Sequence, residues 1–477
     1  MSVLTDVLAR EIRRCEEVAA ARIALQKSRL THHLMPPVGW LNDPNGLCYF
    51  KGKYHVFFQY APFDAEGGLK FWGHYSSINM VDWEYEGVPL FPDTVNDCHG
   101  IYSGSALIDN DVMHLFYTGN VKFVGDYDFI NAGRRASTLH VQSTDGLHFS
   151  DKEVTIHHDD YPDGYTCHIR DPKVWKDADG YRMVLGGRKK DNRGAVIFYA
   201  SDNLKDWRFD RELTTDEPFG YMWECPDMFE IDGQKILSTS PQGLECEEYR
   251  FQNIYQSGYF FMKNGQVHKE DFCEWDMGFD FYAPQTFEDE KGRRILIGWM
   301  GLPDVEDEYT NPTSKREGWQ HCLTIPREVT LNDGVLYQYP VEEMNELRCE
   351  YVEVSKTSNT LSITGAFDLD ISVCGNDGSV CIGEELLLEY IGEKVFLRIG
   401  NKAGFGRKLR KCIVPSRTVR DIRIMADTTA VEIYLNRGEV VLSTRYYPES
   451  ELRELKINAD KIDGKVYKLK PMNVELA

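Results

Sequence analysis

The chain has 477 residues, a formal net charge of −22, and 42% hydrophobic and 12% aromatic residues. Such an excess of acid argues against nucleic acid or an anionic membrane as partner, because both are held by basic surfaces that displace counterions. No apolar run approaches the roughly 20 residues that cross a bilayer, so no membrane role is expected, and the length suffices for two hydrophobic cores.

Residues 1–30 form the first unit. Leu4, Leu8, Ile12, Cys15, Ala19 and Ile23 recur at steps of three and four, with Arg10, Arg13, Glu16 and Glu17 on other sides. This spacing predicts an amphipathic helix that packs its stripe onto the rest of the chain. The opening residues Met1 to Asp6 lack the charged start, apolar stretch and cleavage site of a secretion signal. The twelve cysteines show no close-set framework, so reduced thiols and a cytoplasmic location are expected. Histidines are scattered without zinc-type spacing; His33, His74, His99 and His168 read as hydrogen-bonded structural residues, and neither metal nor cofactor is expected.

Residues 31–338 carry one hairpin written five times. With Asp43, Ser103, Asp171, Glu224 and Ala283 as position zero, the copies stand 60, 68, 53 and 59 residues apart. Four copies place glycine nine residues on, at Gly52, Gly180, Gly233 and Gly292, while the second turns on Asp109-Asn110-Asp111. A second strand follows each turn, over 54–58, 113–117, 181–185, 235–237 and 295–299. Repetition at this spacing predicts an all-β fold, a five-bladed β-propeller of four-stranded blades. If every first strand opens at one face near the axis, Asp43, Asp171 and Glu224 meet in a central funnel. Clustered carboxyl groups divide labour: one held neutral gives a proton while another stays ionised.

At these positions the chain resembles the retaining β-fructosidases of glycoside hydrolase family 32, which include invertases and sucrose-6-phosphate hydrolases. The matching stretches are Trp40-Leu41-Asn42-Asp43-Pro44-Asn45-Gly46, Phe58-Gln59-Tyr60, Trp72-Gly73-His74, Tyr102-Ser103-Gly104-Ser105, Arg170-Asp171-Pro172, Glu224-Cys225-Pro226-Asp227 and Phe281-Tyr282-Ala283-Pro284-Gln285. The resemblance implies that Asp43 is the nucleophile on the anomeric carbon of a fructosyl unit and Glu224 the acid/base, with Asp171 gripping fructose hydroxyls. It also implies substrate binding by Asn42, Gln59, Trp72, Tyr102, Ser103, Arg170, Tyr282 and Trp299. A retaining glycosidase needs two such carboxyl groups and an oxocarbenium-like transition state that gains from nearby negative charge. Arg170 is expected to keep its neighbour Asp171 ionised, and the apolar run around Glu224 to favour the neutral acid. The substrate class implied is a small β-fructoside: sucrose, sucrose 6-phosphate or a short fructo-oligosaccharide. Transfer of the fructosyl group to another sugar, and a non-catalytic sugar-binding propeller, are the alternatives.

Loops between second and third strands, over 59–72, 118–136, 186–195, 240–256 and 300–319, are expected to build the rim, with Tyr60, Phe63, Phe71, Trp72, Phe123, Tyr127, Tyr249 and Trp319 as sugar-facing aromatics. Two rim clusters, Arg188-Lys189-Lys190 with Arg193 and Lys315-Arg316, are candidates for a substrate phosphate or else offset nearby acids. Where family members commonly carry another tryptophan, this chain has Gly67-Gly68, and Tyr75 stands where a small residue is common. Residues 339–477 alternate with period two over 361–373, 385–399 and 431–442, with a turn at Asn436-Arg437-Gly438. They predict a C-terminal β-sandwich that shields one flank of the propeller or joins two copies as a homo-oligomer.

Overall fold

The computed structural model describes residues 2–23, 25–306 and 311–476. The hairpins form where expected, and their turns show why their sequences differ. Lys51-Gly52, Asn110-Asp111 and Asp232-Gly233 each have positive φ at both residues (48° and 82°, 49° and 58°, 48° and 77°). Two-residue loops of that hand match the strand twist, and asparagine and aspartate tolerate the left-handed region well enough to replace glycine in the second copy.

Each hairpin extends into a blade. The innermost strands are Gly39–Phe50, Ile101–Asp109, Tyr165–Asp177, Met222–Ile231 and Tyr282–Glu288. Each pairs antiparallel with the strand that follows it, and the first four blades continue in simple meanders. Successive inner strands are neighbours, and the fifth lies beside the first, closing the ring. Closure is fastened where Gly39 and Trp40 pair in parallel with Trp319 and Gln320, and the C-terminal strand Asn473–Leu476, beyond the sandwich, adds in parallel to the outer strand of blade one. The outer strand of the fifth blade runs to Pro340.

A further repeat lies at the corner between third and fourth strands. Ser77 with Asn79, Ser143 with Asp145 and Ser201 with Asn203 hydrogen-bond in the same way, and each side chain also accepts from the amides that follow. The signal was in the sequence as Ser-x-Asx before an aromatic, Trp83, Phe149 or Trp207.

Beyond the propeller, two six-stranded sheets face each other across an aliphatic core, as the period-two segments predict. Charged groups buried between the two parts fix the sandwich. Arg407 donates to both oxygens of Asp280 at 2.7 Å, and Arg327 reaches Glu432 and Asp276. The helix Val3–Ile23 packs Ile12, Ala19 and Ile23 against blade one, and its Glu16 accepts from the hydroxyls of Tyr60 and Tyr85 at 2.8 Å. Among the described residues no helix is long and apolar enough to cross a membrane.

Candidate active site

All five inner strands break register at the same level. The residues left without a partner are Asn42-Asp43, Ser103, Asp171-Pro172, Cys225-Pro226 and Ala283-Pro284. Proline carries no N–H for the ladder, so the chain bulges there and turns its side chains toward the axis. In blade two Gly104 follows Ser103, because a Cβ there would stand 1.9 Å from the Phe116 carbonyl.

The bulges correct the alignment of Glu224. Asp171, Cys225 and Ala283 all precede proline with φ of 64°, 46° and 49°, so Cys225 holds the place equivalent to Asp171. Glu224 instead pairs with Ser240 as Arg170 pairs with Gly186 and Tyr282 with Trp299. The glycine offset hides this shift: Gly180 opens its second strand opposite Asp177, whereas Gly233 still belongs to the turn.

The three acids nevertheless meet. The Cys225 sulfur stands 3.7 Å from Asp43 Oδ2 and 3.7 Å from Asp171 Oδ2. Asp43 Oδ2 accepts from the Ser103 hydroxyl at 2.5 Å and Oδ1 from the Asn42 amide at 3.1 Å. Gln59 donates to Ser103 at 2.9 Å and accepts from Asn42, and Trp40 donates to Asn42 Oδ1 at 2.7 Å. This chain of donors fixes the Asp43 carboxyl, although burial still raises its pKa above the ordinary value.

Asp171 accepts from the Cys225 amide at 3.0 Å and gives its own N–H to Thr118. Burial pushes its pKa up to about 7, outweighing Arg170, while Glu224 pushes in the same direction. Arg170 lowers that pKa, as its position suggested, but does not offset burial. Its Nε lies 3.9 Å from Asp171 but 2.9 Å from Glu224 Oε1, which a second guanidinium nitrogen also reaches. Glu224 Oε2 accepts from Gln242 at 2.7 Å and from the Tyr282 hydroxyl at 2.6 Å. Its surroundings are polar, not the apolar run around it in sequence.

Of the expected binding residues, Asn42, Ser103, Arg170 and Tyr282 hydrogen-bond to the catalytic carboxyls directly, and Gln59 reaches Asp43 only through Asn42 and Ser103. Trp299 packs beside Tyr282 and His321, and among the described residues its buried indole N–H has no partner. Tyr102 is half-buried at the mouth. Trp72 is a correction: it is wholly buried against Phe57 and Tyr117, donates to the Tyr102 carbonyl at 3.2 Å, and offers a sugar no surface.

The rim differs from expectation because the second strands continue past the acids, to Ala61, Lys122, Lys189, Gln242 and Met300. Tyr60, Phe71 and Trp319 lie in the core, and Tyr249 sits beside Lys394 and Lys411 of the sandwich. Phe63, Phe123 and Tyr127 are exposed. At the missing tryptophan, Gly67 and Gly68 have φ of 118° and 124°, a turn that only glycine makes without strain. Lys70 lies 4.5 Å over the Trp40 ring instead, and burial draws its pKa down to about 7. Tyr75 is buried and donates to the Met35 carbonyl, outside the site. Lys70 and Gln242 are site residues that no motif marked, while His168, read from sequence as a hydrogen-bonded structural residue, accepts from Arg170.

Carboxyl groups converging on a propeller axis, one ringed by oriented donors, define a glycoside hydrolase. Residues 33–340 match the model for the glycosyl hydrolases family 32 N-terminal domain and residues 398–473 that for the family's C-terminal domain. The chain is 40% identical over 433 residues to a sucrose-6-phosphate hydrolase of Bacillus subtilis, covering 87% of this chain and 88% of that one. It is 36% identical over 448 residues to a raffinose invertase of Escherichia coli, covering 90% and 91%. Among solved structures, a sucrose-6-phosphate hydrolase from Lactobacillus gasseri superposes with a TM-score of 0.86 at 27% identity, covering 96% and 97% of the two chains. A Bombyx mori GH32 beta-fructofuranosidase superposes at 0.85 with 30% identity, covering 98% and 99%. The chain belongs to glycosyl hydrolases family 32.

Proposed function

We propose that this glycoside hydrolase is a retaining β-fructofuranosidase acting on sucrose-type substrates, with Asp43 as nucleophile and Glu224 as acid/base. The observation that carries the reading is the meeting of Asp43, Asp171 and Glu224 around Cys225, with different partners for each. Relatives whose names specify sucrose 6-phosphate and raffinose support the substrate class.

Ser103 and Asn42 hold the Asp43 carboxyl for attack on the anomeric carbon. As that C–O bond breaks, Glu224 gives its proton to the departing oxygen. Glu224 then takes a proton from water, whose oxygen replaces Asp43 at the anomeric carbon and releases fructose. Asp171, buried and drawn toward neutrality, is suited to exchange hydrogen bonds with fructosyl hydroxyls. The Trp299 N–H is a further donor left for such a hydroxyl.

Twelve free cysteines, five of them exposed at Cys98, Cys246, Cys273, Cys349 and Cys374, support a reducing compartment, the cytoplasm. Time-resolved NMR of the released sugar tests the mechanism. β-Fructofuranose must appear first, and initial release of the α-anomer overturns the covalent route.

A further inference from the structure

A cavity of about 530 Å³ lies where the end of the N-terminal helix, blade one and the sandwich meet. Small-molecule sites occupy about 300–1,000 Å³, so the space suits a ligand of that kind. None of the residues around the catalytic acids lines it. Its walls are apolar: Ile23 closes the helix, Leu30, Leu34 and Met35 come from the segment that follows, and Met472 and Val474 from the C-terminal strand and the residue before it. The hydrogen-bond donors inside it are spent, with one exception. The Thr31 hydroxyl donates to Asp427, the ring nitrogens of His33 lie on Asp427 and Glu432, and the Tyr75 hydroxyl donates to the Met35 carbonyl. Gln26 donates to the Glu317 carbonyl and Thr428 to the Arg29 carbonyl. Lys27, at the mouth, pairs with Glu451 at 3.2 Å.

The exception is Arg29. Among the described residues its side chain makes one hydrogen bond, from Nη1 to the Pro36 carbonyl at 3.0 Å, and its guanidinium lies 5.2 Å over the Trp319 ring. Glu317, whose charge it feels, is engaged by the Ser28 hydroxyl and by the Trp319 indole N–H at 3.1 Å. No carboxylate among the described residues stands within ion-pair distance of Arg29, in a chain whose net charge is −22. By contrast Arg327 and Arg407, which join the propeller to the sandwich, each hold a carboxylate directly. Burial draws the pKa of Arg29 down to about 10, as expected of a charge short of both water and counterion. A bound anion relieves that cost.

We propose that this cavity is a second ligand site, distinct from the catalytic funnel, and that it takes a small amphiphilic monocarboxylate with its head on Arg29 and its alkyl chain along Leu30, Leu34 and Met472. One guanidinium with unused N–H donors beside apolar walls is complementary to one anionic head on an apolar body. A carboxylate matches the paired donors of the guanidinium fork. A dianion would want a second cation, and Lys27 is taken by Glu451. The ligand touches the helix end, blade one and the sandwich together, so it stabilises the folded protein by mass action.

The test is calorimetry on the full chain with octanoate, octanol, butanoate and inorganic phosphate as probes. Octanoate should bind at least about tenfold tighter than octanol, the factor that one charge-assisted contact supplies. It should also exceed butanoate by about tenfold or more, because the longer chain takes more methylene groups out of water. Arg29→Gln should weaken octanoate about tenfold and leave octanol unchanged, while Arg29→Lys keeps most of the affinity. If Arg29→Gln does not fold, the head-group and chain-length comparisons in the unaltered protein still decide. NMR of isotope-labelled methionine methyl groups locates the ligand: octanoate should move the signals of Met35 and Met472 and leave that of Met222, two residues before Glu224. No octanoate binding at millimolar concentration, octanol or phosphate binding as tightly as octanoate, or shifts at Met222 in place of Met35 and Met472 would each overturn the proposal.

Discussion

Replacing Glu224 with glutamine removes one proton from the site and little else. The carboxyl accepts from Arg170 on Oε1 and from Gln242 and Tyr282 on Oε2. An amide keeps its oxygen toward Arg170 and its nitrogen toward Tyr282, whose hydroxyl rotates to accept. Only the Gln242 amide loses its acceptor, a hydrogen bond of about 1 kcal/mol, so the fold survives. Loss of the general acid costs ~10²- to 10⁴-fold in the chemical step, about 3 to 5 kcal/mol of barrier. The informative assay sets sucrose against β-fructofuranosyl fluoride, whose leaving group departs without protonation. Sucrose turnover should collapse by that factor while the fluoride still gives a rapid single burst. The enzyme should then stall carrying one fructosyl mass on the peptide that contains Asp43, because the water is no longer activated. Sucrose turnover within about threefold of normal, below the range for a lost general acid, or a fluoride burst as depressed as sucrose cleavage, would refute the assignment.

The pKa of Asp171 stands at about 7, above its unfolded value. The folded state therefore keeps that proton longer than the unfolded chain, and this contribution to stability is present at low pH and lost as pH rises toward 7. Denaturant midpoints of the ligand-free protein should show this fall, and Asp171→Asn should flatten it; parallel profiles would contradict the burial argument. Trp72→Ala should lower unfolding stability by about 3 to 5 kcal/mol, as loss of a core aromatic does, and a raised KM with stability unchanged would return Trp72 to the substrate. Asp280→Ala leaves the Arg407 guanidinium buried without its carboxylate partner and should cost about 3 to 5 kcal/mol, measured by chemical unfolding, with the sandwich loosened from the propeller.

The blades were legible because a hairpin is local. Alternating residues and turns such as Lys51-Gly52 are written within a dozen positions, and their repetition announces radial symmetry. The acids Asp43 and Asp171 were legible for the same reason, each before a proline at a fixed offset. Glu224 was found through its motif, but its place was not. A single offset cannot distinguish a glycine inside a turn from one just after it, and only strand pairing showed Cys225 at the repeated bulge.

Local pattern alone implied the propeller, the sandwich and the three carboxyl groups, because short-range periodicity dictates strand, turn and bulge. The partners of each charge were set by folding. Arg170 turns to Glu224 instead of Asp171, Trp72 belongs to the core, and among the described residues Arg134 and Arg188 lack carboxylate partners while Arg135 and Lys189 have them. Those choices depend on residues brought together from distant strands, where a few ångströms separate an ion pair from an unpaired charge.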